Sequence, residues 1–94
     1  MPIGTLRVDL RLRSVHSLKE KRGMLSPLLA RIRKDLHCAA AEVDLADRWQ
    51  ASVLEVACVN SERVQAEATL RRVLDVIESG GEVEVVDHRI EVVT

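Results

Sequence analysis

The stretch HSLKEKR, residues 16–22, brings a histidine, a serine and three cations together within two helical turns. Ser17 and Glu20 have the S-x-x-E spacing of a capping box, in which the serine oxygen and the glutamate carboxylate each satisfy an unpaired backbone donor at a helix start. Lys19, Lys21 and Arg22 crowd the same turns, where the helix macrodipole is positive and each cation is disfavoured by about 0.3–1 kcal/mol. Cations gathered beside free helix N–H groups are the chemistry of an anion site, and phosphate is a natural ligand class for it. His16, Ser17, Lys19, Lys21 and Arg22, joined by Arg48 from the middle of the chain, are therefore the candidate anion- or RNA-binding residues. Lys21 has a competing use. It can form a structural ion pair with Glu42 or Asp47, its stem lying over the edge of a core.

Other chemistries leave no trace. There is no Gly-rich phosphate loop, CxxC or HExxH motif, and no Ser/His/Asp or Cys/His arrangement. The expectation is a protein that is not an enzyme and holds neither metal nor cofactor. Cys38 and Cys58 lie in apolar stretches without metal-ligand spacing, so both read as buried, reduced thiols. Trp49 is the single aromatic residue; Phe and Tyr are absent. That composition excludes the RRM mode of RNA recognition, which stacks bases on sheet aromatics. For Trp49 a core or interface role takes precedence over ligand stacking.

The elements that must position these residues follow from periodicity. Residues 3–13, IGTLRVDLRLR, alternate Leu6, Val8, Leu10 and Leu12 with Arg7, Asp9, Arg11 and Arg13, as a strand with one buried face does. From Ser17 to Leu36 the period becomes helical, with Leu18, Leu25, Leu28, Leu29, Ile32 and Leu36 on one stripe. Pro27 should remove a hydrogen bond and bend that helix. Residues 38–44 and 49–59 predict two further strands. Asn60 or Ser61 offers an N-cap for a second helix whose stripe runs through Val64, Ala68, Val73, Leu74 and Ile77, with Gly80 and Gly81 stopping it. Residues 82–93 predict a last strand with a bulge near Val85 and Val86. The order β-α-β-β-α-β predicts a single α+β domain over residues 1–94. It has the ferredoxin-like arrangement: a four-stranded antiparallel sheet ordered 4-1-3-2 with two helices on one face. One rim of such a sheet would collect His16, Ser17, Lys19, Lys21, Glu42, Asp44, Asp47, Arg48, Trp49 and Gln50.

Charge is divided unevenly: residues 1–37 carry a net +6 and residues 38–94 a net −7, for a total of −1. A basic surface for a polyanion and pairing between the halves are both compatible with this. On the open sheet face, Asp87 and Glu91 are expected opposite the arginines of the first strand. The small apolar residues of the third strand suggest a homodimer packed through that face, with Arg7, Arg11, Ala51, Val53, Ala57 and Trp49 at the interface. No stretch has the length of a membrane span or the apolar core of a signal peptide, which implies a cytoplasmic protein without a membrane partner.

HSLKEKR, followed by AEV at residues 41–43 and D-x-W-Q-A at residues 47–51, resembles the YlxP-like family of small bacterial proteins of unknown function. The resemblance covers nearly the whole chain. It implies the same βαββαβ fold and an oligomeric protein. It also implies a setting near translation or ribosome maturation, because genes of this family often neighbour those for translation initiation factor two and ribosome-binding factor A. The positions it shares are His16, Ser17, Leu18, Lys19, Glu20, Lys21, Arg22, Glu42, Asp47, Trp49 and Gln50. A structured RNA or a ribosomal particle is then the expected partner, with Arg31, Arg33 and Lys34 extending the basic strip. A protein-interaction module and a small-anion-binding regulator are the alternatives.

Overall fold

Strand β1 (Ile3–Arg11) keeps the alternation of its sequence, with Leu6, Val8 and Leu10 buried and Arg7 and Arg11 exposed. It is followed by α1 (Leu18–Asp35), β2 (Ala39–Asp44), β3 (Ala51–Val59), α2 (Arg63–Ser79) and β4 (Glu84–Val93). The structure is a computed structural model and describes residues 1–93. The four strands form one antiparallel sheet in the order β2-β3-β1-β4, which is the expected 4-1-3-2 order viewed from the other side. Helix α1 packs on β2, and α2 lies over β1, β3 and β4. Between helices and sheet, Leu6, Val8, Ile32, Leu54, Val56, Leu70, Val73 and Ile77 are almost wholly shielded from water. Each contributes roughly 1.5–3 kcal/mol of burial energy before chain entropy is counted.

The capping box forms as spaced. The Ser17 hydroxyl accepts the Glu20 amide at 3.1 Å, and the Glu20 carboxylate accepts the His16 amide at 2.7 Å. Helix α1 runs from Leu18 to Asp35 as one element with Pro27 inside it. The hydrogen bond expected to be lost there is the one to the Gly23 carbonyl, and its loss does not end the helix; Pro27 and Gly23 are both exposed, where water can take the bond. After the helix, His37 takes φ +55°, the left-handed conformation that turns the chain into β2.

Helix α2 corrects its predicted stripe. Ala66, Leu70, Val73, Leu74 and Ile77 are buried, whereas Val64 and Ala68 are exposed. Gly4 explains the rotation. A Cβ on it would lie 2.9 Å from Leu70 Cδ1 and 3.4 Å from Ala66 Cβ, so the bare backbone of β1 draws in those two residues. Neither Asn60 nor Ser61 is the N-cap. Glu62 occupies that position without a side-chain bond, while Asn60 Oδ1 accepts the Glu62 amide at 3.2 Å in a turn just ahead of the helix.

The predicted bulge in β4 falls on Val86: Asp9 faces Asp87 and Leu10 faces Val85, leaving Val86 without a partner. The same register corrects the expected charge pairs. Asp87 opposes Asp9, Glu91 opposes Thr5, and Arg7 stands opposite Arg89. Arg7 instead takes Glu55 at 2.8 Å and Asp44 at 3.9 Å, while Arg11 and Arg13 share Glu84 at 3.6 and 3.3 Å. Among the described residues no helix is long and apolar enough to cross a membrane.

Candidate phosphate-binding rim

The end of β1, the start of α1 and the β2–β3 loop meet at one rim, and hydrogen bonds fasten them together. The Leu12 amide donates to the Gln50 carbonyl at 2.9 Å. In return the Gln50 side-chain amide donates to the carbonyls of Arg13 and Val15 at 3.2 and 3.0 Å. The Arg48 amide closes a turn onto the Leu45 carbonyl at 3.0 Å.

Lys21 holds this assembly from inside. It is only 2% exposed, and its Nζ donates to the Leu45 carbonyl at 2.8 Å and the Arg48 carbonyl at 2.7 Å, with Glu42 Oε2 at 2.8 Å. Three donors meet three acceptors, so no proton of this ammonium is left for a ligand. Glu42 also accepts the hydroxyl of Ser52 at 2.6 Å, and Ser52 is fully buried. The ion pair of Lys21 with Glu42 is therefore internal. Asp47 lies outside it: its place is taken by the two loop carbonyls, and Asp47 is exposed with no ion pair among the described residues. Leu45 has φ +58°, a conformation a leucine enters only at a cost of roughly 1–2 kcal/mol. Lys21 on its carbonyl and Asp44 Oδ1 on its amide, at 2.8 Å, hold it there.

The remaining cations of the rim are differently placed. Lys19, Arg22 and Arg48 are exposed and make no ion pair among the described residues. At 100° per residue Lys19, Arg22, Ser26 and Arg33 fall on one flank of α1. That flank overhangs β2: Arg22, Ser26 and Leu29 line a hollow of about 180 Å³ with Glu42 and Ala46. Further along, Arg33 donates twice to the Ala40 carbonyl, at 3.1 and 2.6 Å, covering part of the outer edge of β2. Arg31 lies 3.9 Å from Asp35 on the same helix, and Lys34 is exposed. His16 is exposed beside the cap, its amide held by Glu20.

Of the residues expected at a homodimer interface, Arg7, Arg11, Ala51, Val53 and Ala57 share the open face of the sheet, and Trp49 stands apart from them. Val53 is 5% exposed and already covered within the chain; Arg7 and Arg11 are engaged in ion pairs; Ala51 and Ala57 are half-buried. Trp49 lies on the β2–β3 loop, ahead of the first residue of β3, and is 53% exposed. Around the ion pairs the open face carries Arg7, Arg11, Arg13 and Arg89 against Asp9, Asp44, Glu55, Glu84, Asp87 and Glu91. Four guanidinium groups against six carboxylates leave that face acidic, unsuited to a polyanion.

Sequence patterning did not single out Ser52, and it placed Arg33 on a basic strip and not on the Ala40 carbonyl. Ser52 was detectable in principle, because it is a polar residue at the inward parity of Leu54, Val56 and Cys58. Cys38 and Cys58 are buried and free, their thiols donating to the carbonyls of Leu36 at 3.3 Å and Ala66 at 3.6 Å. Burial, with Cys58 close by, pushes the Cys38 thiol up to about 11, and burial also raises Cys58. Among the described residues no three His, Cys, Asp or Glu side chains gather as a metal site would require.

A family model described as a protein of unknown function, DUF503, matches residues 3–90. The chain belongs to this family. The "Uncharacterized protein YlxP" of Bacillus subtilis (strain 168) is 41% identical over 68 residues, which cover 72% of this chain and 74% of that protein. Nothing in either description states a chemistry, so the function of this member of the family has to be argued from its rim.

Proposed function

We propose that this protein is a non-enzymatic accessory protein of translation or ribosome maturation that contacts structured RNA through its backbone phosphates. One observation carries the reading: Lys19, Arg22 and Arg48 are exposed cations without carboxylate partners among the described residues, at a rim where Lys21, Glu42 and Glu20 are consumed by the fold and Asp47 is the one exposed carboxylate left unpaired. Lys21 supports them indirectly. By fixing the loop carbonyl of Arg48 it fixes the chain that presents the Arg48 guanidinium.

Cations on phosphate position a protein on nucleic acid without reading sequence. The acidic open face turns the strands away from the ligand, so binding runs along the α1 flank and the β2–β3 loop, from Arg48 past Lys19 and Arg22 toward Lys34. RNA is chosen over other polyanions on the setting that the family resemblance implies.

The test is a double substitution. Lys19→Ala with Arg22→Ala removes two exposed cations that support no structural contact, so the thermal unfolding temperature should stay within a few degrees of the parent. Affinity for ribosomal RNA, measured by filter binding beside a double-stranded DNA control, should fall about tenfold or more. Equal affinity of parent and variant would refute the placement of the site.

A further inference from the structure

Trp49 is the one aromatic residue of the chain, and the fold leaves it 53% exposed. A half-exposed indole is a large apolar surface left in water, yet its loop is tied by hydrogen bonds on both sides of the ring. The carbonyl of Arg48, next to it on one side, accepts the buried ammonium of Lys21 at 2.7 Å. The side chain of Gln50, next to it on the other, is tied to the Arg13 and Val15 carbonyls. Backbone mobility is thus removed on both flanks of a ring that packs into no core. The hollow it borders, about 420 Å³, is lined by Asp47, Arg48, Trp49, Gln50 and Ala51 and opens to solvent.

We propose that Trp49 is a stacking platform for an unpaired nucleobase, which makes the ligand of this rim single-stranded RNA; the inference rests on the phosphate reading above. Its parts have the two features of single-strand recognition, an aromatic plane for the base and cations along the backbone. Arg48 adjoins the ring in sequence, and Lys19 and Arg22 carry the positive charge onward along the neighbouring helix. Every base has a π-face, so stacking on one indole selects for strandedness and not for sequence. A base in a duplex is covered on both sides by its neighbours and cannot reach the ring.

The lone tryptophan is its own reporter. Its emission is followed while the protein is titrated with a ten-nucleotide single-stranded RNA, the same RNA annealed to its complement, and inorganic polyphosphate, which offers charge without bases. Quenching is expected with the single strand only. By anisotropy of labelled RNA, Trp49→Ala should lose about five- to a hundredfold in affinity for the single strand while its binding of polyphosphate is unchanged, and Trp49→Phe should recover most of the loss. Equal binding of all three probes without quenching would overturn stacking and leave the phosphate site standing. Binding of none would overturn both. An emission shift with protein concentration alone would mean that a second copy covers Trp49, which also overturns the proposal.

Discussion

Lys21 sits where cations are least welcome, in the first turns of a helix and out of water, and both penalties are met by its partners. Its three contacts close off the ammonium completely. Replacing it with methionine would leave the Glu42 carboxylate with Ser52 as its sole donor and two loop carbonyls without theirs. The expected loss is about 3–5 kcal/mol, read from urea unfolding. The double variant Lys21→Met with Glu42→Leu should recover part of it, because no uncompensated charge then remains. That Lys21 flanks the apolar stripe and can meet Glu42 was legible from helical spacing and the order of elements. Its hold on the Leu45 and Arg48 carbonyls was not, because it depends on a left-handed leucine that no local propensity would suggest. The cysteines give a second prediction at this scale. An exposed thiol ionises near 9, and Cys38 in the fold near 11. The native state therefore keeps a proton that the unfolded chain has lost. Stability is undiminished below about pH 9 and should fall as pH rises from 9 toward 11. Unfolding in urea at pH 8 and pH 10.5 measures this, and Cys38→Ala should flatten the difference.

Among the elements, α1 is governed by its cap and α2 by what it packs on. The Ser17–Glu20 box was readable because its two residues are three apart and act locally, and it forms as spaced. Ser17→Ala should cost about 1 kcal/mol, and a shift of thermal unfolding by a few degrees would show it. The same local logic failed for α2. Its amphipathic pattern admits more than one stripe, and the choice is made by Gly4, distant in sequence, where the missing side chain lets Ala66 and Leu70 approach β1. Strand pairing shows the same division. The bulge in β4 was visible as a change of face near Val86, but which charges would stand opposite one another depended on register. That register sets Arg7 beside Arg89 and Asp9 beside Asp87. Like charges opposed across strands are destabilising, and for the arginines Glu55 and Asp44 on Arg7 and Glu91 on Arg89 offset this.

Over the whole molecule, the contrast between a basic first third and an acidic remainder becomes a contrast between surfaces. The open sheet face is acidic, and the unpaired cations of the rim stand on α1 and the loop that Lys21 holds. The most direct test of a phosphate site at that rim is the salt dependence of RNA binding by the parent protein and by the Lys19→Ala, Arg22→Ala variant, from about 50 to 200 mM salt. Each phosphate contact contributes about 0.7 to the slope of log affinity against log salt for a single strand. With Lys19, Arg22 and Arg48 engaged, the parent should show a slope near −2 and the variant one near −0.7. Identical slopes, or a parent whose binding ignores salt, would contradict the account and return these cations to the solvent.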